Sequence, residues 1–125
     1  MKPVYLIDTI IIVDHFCGAK KATEWLLGLH EGEAAISVVT RSEVLSGVTE
    51  NEKEDVLFFL DTYECLQVST EIADLAAILS KQNRWSMDIA YQAAIAIKHH
   101  LIFVTRNTQD FRQEDHSFVL IPYRL

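Results

Sequence analysis

Glycine and proline are scarce in this chain, which has four glycines and two prolines among its 125 residues. No repeat, low-complexity segment or linker interrupts it, so we predict a single domain over residues 1–125. No apolar run is long enough to cross a bilayer, and no basic N-terminal segment leads into an apolar one. A cytoplasmic protein is therefore expected.

Cysteine and positive charge are also in short supply. Cys17 and Cys65 are isolated and form no CxxC motif, which predicts two reduced thiols rather than a metal or disulfide framework. The net charge of −7 argues against a protein that holds nucleic acid by a basic surface alone. That argument weakens if the acids gather around divalent cations, which reverse the local field. An acidic chain also suits a basic protein partner.

Short apolar runs alternate with helical patterns along the chain. Strands are predicted for residues 4–7, 34–39, 101–105 and 117–122, with a weaker edge strand at 64–68. Amphipathic or buried helices are predicted for residues 20–29, 52–63, 71–82 and 87–99. This alternation predicts an α/β fold, a three-layer α/β/α sandwich with a central, mainly parallel sheet.

Four acidic side chains stand beside these predicted strands. Asp8 closes the first strand, Glu43 lies soon after the second, and Asp110 follows the strand at 101–105. Asp88 begins the helix that leads into that strand. Because ligands of open α/β sheets bind outside the carboxyl ends of the strands, all four acids are expected to converge on one edge.

Each acid also has a structural explanation, and the residues alone do not choose between the two. Asp8 is in position to cap the following helix. Thr40 and Glu43 fit a capping box. An N-cap at Ser86, or at Asn107, would leave the next acid in a first helical turn, where the helix dipole favours negative charge.

Converging carboxylates repel one another, and their pKa values rise unless a cation neutralises them. Ligand sets made only of oxygen suit Mg²⁺ or Mn²⁺ rather than zinc. Such ions are the usual means of cleaving a phosphodiester with water. The pattern therefore favours a metal-dependent nuclease.

Four segments carry a family resemblance: "YLIDT", "TRSEVLSG", "MDIAYQAAIA" and "LIFVTRNTQDF". In order and spacing they resemble the signature segments of PIN-domain proteins, above all the VapC-type toxin ribonucleases of toxin–antitoxin pairs. The resemblance covers nearly the whole chain and implies a Mg²⁺- or Mn²⁺-dependent endoribonuclease, in which water activated by the metal attacks the phosphorus in line. It assigns both catalysis and metal binding to the same residues: Asp8, Glu43, Asp88 and Asp110.

The resemblance also implies supporting roles for Thr9 and Asn107, and one position departs from it. The family usually has a small polar or acidic residue two positions after the first aspartate, whereas this chain has Ile10. The change removes a side chain that would bond a neighbouring carboxylate, the water or the metal. We expect weaker metal binding and slower cutting, with a catalytically weak or inactive RNA- or protein-binding module as the alternative.

Further residues are candidates for binding or for the surface. Arg41, Arg84 and Arg106 flank the predicted edge and are candidate RNA-phosphate contacts, with pairing to nearby acids as the alternative for each. Asp14 and His15 are expected on the solvated side of the first helix.

The resemblance implies protein partners as well. These are a basic antitoxin that fills the acidic edge and a second copy in a homodimer, with an exposed apolar groove near residues 20–30 and 50–63. A phospho-accepting receiver domain is a weaker hypothesis, because it would need an acidic pair after the first strand and a lysine after a late one.

Overall fold

Five short strands build the centre of the molecule, for which a computed structural model describes residues 2–125. They are β1 (Tyr5–Ile7), β2 (Ala34–Ser37), β3 (Glu64–Leu66), β4 (Ile102–Val104) and β5 (Val119–Leu120). The sheet has the order β3-β2-β1-β4-β5, and every neighbouring pair is parallel. The carboxyl ends of all five strands therefore meet at one edge.

Two helices fill each connection as far as β4, whereas residues 105–118 join β4 to β5 without a helix. The helices are α1 (Thr9–Phe16), α2 (Lys20–Leu27), α3 (Val38–Ser46), α4 (Glu50–Leu60), α5 (Thr70–Asn83) and α6 (Met87–Lys98). Local caps fix several of their starts: the Ser69 hydroxyl accepts from the Ile72 amide at 3.1 Å, and Thr49 and Glu52 form a capping box. Within residues 2–125, none of the helices has the length and apolar character needed to span a membrane.

The core lies on both faces of the sheet. Leu6 belongs to a cluster with α5 and α6, whereas the next residue, Ile7, belongs to a cluster with α1, α2 and α4. Successive strand residues point to opposite faces, so two neighbouring apolar residues supply both layers. The predicted α/β/α sandwich with a parallel central sheet is confirmed.

The start of α3 differs from the sequence-based prediction. The predicted strand at 34–39 ends at Ser37, and Val38 begins the helix because the Ser37 hydroxyl accepts from the Thr40 amide at 3.0 Å. Thr40 is therefore the third residue of the helix, and the predicted capping box between Thr40 and Glu43 is wrong. A buried serine ended the strand where two β-branched valines favoured its continuation.

The inner side of α1 carries more charge than predicted. Asp14 is only 8% exposed, so its expected place on the solvated side is wrong. Its carboxylate accepts from Arg106 at 2.7 and 3.0 Å and from the Tyr123 hydroxyl at 2.8 Å. His15 is half-buried and stacks on Phe59, with ring centroids 5.1 Å apart.

Candidate active site

An open cleft of about 560 Å³ lies at the carboxyl edge of the sheet, where β1 and β4 run side by side. The chain lays strands on one side of β1 and later returns to its other side, so this is the switch point at which parallel α/β sheets form crevices. Three acids line this cleft: Asp8, Glu43 and Asp88. Its other lining residues include Ile10, Arg106 and Asn107.

Asp8 is the innermost of these acids. Its amide donates to the Val104 carbonyl at 2.9 Å, and its carboxylate accepts from the buried Thr105 hydroxyl at 2.6 Å. The pKa of Asp8 is raised to about 6. Burial is the main cause, the negative charges of Glu43 and Asp88 add to it, and the hydrogen bond from Thr105 acts against it. Although Asp8 is the N-cap residue of α1, its side chain makes no capping hydrogen bond.

Glu43 and Asp88 reach the cleft from two different helices. Glu43, on α3, accepts a 2.7 Å hydrogen bond from the Thr9 hydroxyl. Asp88 lies in the first turn of α6 behind the predicted N-cap Ser86, whose hydroxyl donates to it at 2.5 Å. Three acids that are far apart in sequence therefore face one space.

Asp110 is held beside the cleft by its own turn. Asn107 accepts from the Asp110 amide at 3.2 Å and donates from its side-chain amide to the carboxylate at 2.9 Å. No short helix forms at this point; residues 108–110 make a turn instead. The Asp110 carboxylate is thus engaged by Asn107, and Asp110 is not part of the lining formed by the other three acids.

The three candidate arginines have different surroundings. Arg41 pairs with Asp61 at 2.8 Å. Arg84 is exposed at the C-terminal cap of α5, with φ 57°. Of the three, Arg106 lines the cleft, and its guanidinium is bound by Asp14. Arg41 and Arg106 therefore pair with nearby acids, which is the predicted alternative to a role in binding RNA phosphates.

The donor set of the cleft fits a hard divalent cation in its chemistry. It consists of carboxylate oxygens, and crowding of like charges contributes to the raised pKa of Asp8. Within residues 2–125, however, no three His, Cys, Asp or Glu side chains already form a cluster suited to a metal. Each carboxylate is held by a hydroxyl donor of its own: Asp8 by Thr105, Glu43 by Thr9 and Asp88 by Ser86.

Several polar residues behind the acids were not identified from the sequence. Thr105 is fully buried and positions Asp8, while Thr40 and Gln92 are buried behind Glu43. One signal was available: Gln92 interrupts an otherwise apolar face of α6, and a buried amide requires hydrogen-bond partners. The local sequence pattern does not predict which residues are the partners of Gln92.

Comparison with known proteins gives a family match. The model of the family described as "PIN domain" matches residues 5–116. Ribonuclease VapC10 of Mycobacterium tuberculosis is 27% identical over 108 residues, which cover 86% of this chain and 77% of that protein.

Solved structures with a similar fold include two from bacteria. A toxin-antitoxin complex from Klebsiella pneumoniae contains a chain with TM-score 0.88 and 29% identity, covering 97% of this chain and 99% of its own length. FitAcB from Neisseria gonorrhoeae gives TM-score 0.76 at 23% identity, covering 94% of this chain and 97% of its own, which supports the fold alone.

Proposed function

Because the chain belongs to the PIN domain family, we propose that it is an endoribonuclease that hydrolyses RNA phosphodiester bonds with Mg²⁺ or Mn²⁺. The observation that carries the proposal is the meeting of Asp8, Glu43 and Asp88 in one cleft at the switch point of the sheet. Similarity to a protein named as a ribonuclease supports the choice of substrate.

The residues of the cleft have separable roles in this proposal. Asp8, Glu43 and Asp88 would hold the cation, with Asp110 on the rim beside them. When bound, the cation supplies an activated water and neutralises charge that develops on the phosphate. Thr105 fixes the orientation of Asp8 by its 2.6 Å hydrogen bond, and Asn107 fixes that of Asp110.

The proposal is tested by cutting of structured RNA with Mn²⁺ or Mg²⁺. Wild-type protein should cut, and chelation should stop the reaction. Asp8→Asn should lower the rate about a hundredfold or more, the scale on which one positioned electrostatic group contributes to catalysis. Asp74→Asn, at an exposed position of α5, is the matched control and should cut like the wild type. Cutting that survives both chelation and Asp8→Asn contradicts the proposal.

Ile10 favours a second candidate, a module that binds RNA or a protein through the same edge without cutting. Its apolar side chain lines the cleft, where a polar group would serve a metal or water better. A protein that does not cut RNA, and shows no Mn²⁺ binding by calorimetry, is the outcome that this alternative predicts. Binding of Mn²⁺ together with cutting rejects it.

We also propose that the protein is the toxin of a toxin–antitoxin pair and forms a homodimer. The similar chain from Klebsiella pneumoniae is described as part of a toxin-antitoxin complex. Leu27 of α2 and Phe58 of α4, in the two predicted segments, are 80% and 78% exposed and offer apolar surface for a protein contact. A basic antitoxin would complement both the net charge of −7 and the acidic cleft.

A further inference from the structure

A chain of polar side chains runs from the interior of the protein to Glu43. The Ser37 hydroxyl donates to the Gln92 side-chain carbonyl at 2.7 Å, and the Gln92 amide donates to the Thr40 hydroxyl at 2.6 Å. The hydroxyls of Thr40 and Thr9 lie 3.0 Å apart, and Thr9 lies 2.7 Å from the Glu43 carboxylate. The end of β2 is thereby connected to α6, α3 and α1.

The direction of the chain follows from the number of protons available. A carboxylate can only accept, so the single hydroxyl proton of Thr9 goes to Glu43. The contact between the two threonines must then have Thr40 as its donor. The hydroxyl proton of Thr40 is available for this bond, because Thr40 is the acceptor in its contact with Gln92. All four donors therefore point toward the negative charge, and hydrogen bonds aligned in this way polarise and strengthen one another.

Burial makes this arrangement rigid at its inner end. Ser37 and Thr40 are fully buried, and Gln92 is 3% exposed. The Ser37 hydroxyl also accepts from the Thr40 amide, so its own rotation is fixed. No buried side-chain polar atom within residues 2–125 lacks a partner, so any rotation in the chain would leave a donor or acceptor unpaired. Glu43 itself is exposed, and it has the rotational freedom of a long side chain unless something holds it.

We propose that Gln92 and Thr40 are positioning residues that act through Thr9 to hold the Glu43 carboxylate ready for a divalent cation. This inference rests on the proposed function. In a cleft where Ile10 offers no polar group, the Glu43 carboxylate is then supported through hydrogen bonds from residues of α1, α3 and α6. Hydrogen-bond partners behind a ligand commonly change metal affinity ten- to a hundredfold.

A purely structural role is the competing explanation, since the same bonds tie α3 to α6. The chain offers a matched pair of variants that separates the two. Thr40→Val keeps the size and branching of the side chain but removes the hydroxyl, whereas Thr40→Ser keeps the hydroxyl and loses a methyl group. Val56→Ala, in the buried core of α4, lowers stability without touching the polar chain.

The experiment measures Mn²⁺ affinity by calorimetry without RNA, then kcat and KM for RNA cutting, at a temperature where every variant is folded. Thr40→Val should weaken Mn²⁺ binding about tenfold or more and lower kcat, with little change in KM. Thr40→Ser should stay within about threefold of the wild type, and Val56→Ala should bind Mn²⁺ normally despite its lower melting temperature. If Thr40→Val does not fold, Gln92→Met, which removes the amide next in the chain, takes its place.

The outcomes distinguish this inference from the proposed function. If the wild type binds Mn²⁺ and cuts RNA, but Thr40→Val binds Mn²⁺ as tightly as Thr40→Ser, the inference is overturned and the proposed function stands. If Val56→Ala weakens Mn²⁺ binding as much as Thr40→Val does, the effect is one of general stability, and the inference is again overturned. A wild type that neither binds Mn²⁺ nor cuts RNA overturns both.

Discussion

A buried carboxylate ties the C-terminal segment to the edge of the cleft. Asp14 of α1 accepts two hydrogen bonds from Arg106, just after β4, and a third from Tyr123 near the end of the chain. Burial by itself raises the pKa of Asp14, but the hydrogen bonds from Arg106 and Tyr123 together outweigh it, so the pKa is lower than its ordinary value. The charged form of Asp14 therefore stabilises the folded protein.

The sign of the pH dependence follows from this lowered pKa. An unfolded aspartate titrates near pH 4, and the folded Asp14 titrates lower, so its contribution is complete above about pH 4. The contribution is lost as the pH falls through the folded pKa. Asp14→Asn should lower the free energy of unfolding by about 2 kcal/mol at pH 7, and its stability should fall less steeply than that of the wild type under acid conditions. Urea denaturation at neutral and acid pH checks this, and parallel pH profiles for the two proteins would contradict it.

At the scale of single residues, the sequence predicts the acids of the cleft, but it does not predict the buried polar side chains that position them. The sequence predicts Asp8, Glu43 and Asp88 because each adjoins a predicted buried strand or helix, and the fold brings all three to one cleft. Thr105 and Gln92 were missed because a buried hydroxyl or amide gains its meaning from partners far away in sequence. Thr105, for example, lies 97 positions from Asp8.

At the scale of elements, the composition of α6 decides how closely it packs. Four of its alanines are fully buried, and they face the α5 layer and the sheet in one apolar cluster: Ala90, Ala93, Ala94 and Ala96. Small side chains let the helix lie close to its neighbours. The same helix carries Asp88 in its first turn and Gln92 one turn later, on the same side. Close packing of α6 therefore also fixes two residues of the site.

Overfilling this interface should destabilise the protein. Ala94→Leu adds three carbons where the alanine side chain has no exposed surface, which typically lowers the free energy of unfolding by about 1–3 kcal/mol. Ala77→Leu makes the same change at an exposed position of α5 and should leave stability within about 0.5 kcal/mol of the wild type. Chemical denaturation compares the two. Equal stability of both variants would show that the α6 interface is loosely packed.

The order of elements was predictable from the sequence, whereas several of their ends were not. Apolar runs predicted four of the strands, and an alternating pattern predicted β3 at the edge of the sheet. Amphipathic or largely apolar patterns predicted α2, α4, α5 and α6. The error at 34–39 arose because Val38 and Val39 favour a strand by propensity, while the Ser37 cap starts a helix. The Ser37 cap depends on tertiary structure, because the Ser37 hydroxyl also donates a hydrogen bond to Gln92 of α6.

At the scale of the whole molecule, charge and topology act together. The parallel sheet gathers Asp8, Glu43 and Asp88 at one edge of a protein whose net charge is −7. Arg106, a cationic residue that lines the cleft, is bound by Asp14. An acidic cleft of this kind attracts a cation from outside, either a divalent ion or the basic side chain of a partner. On the proposed function, these two occupants should compete.

That competition can be measured without RNA. A short arginine-rich peptide should raise the apparent Kd for Mn²⁺ several-fold in calorimetry, because both cations neutralise the same carboxylates. The effect should fade near 1 M salt, where the Debye length is about 3 Å and the attraction of the peptide is screened.

A glutamate-rich peptide of the same length is the control and should leave the Kd unchanged. If Mn²⁺ binds equally well with and without the basic peptide at low salt, the cleft is not where a basic partner docks, and a contact through Leu27 and Phe58 alone becomes the better hypothesis for the antitoxin.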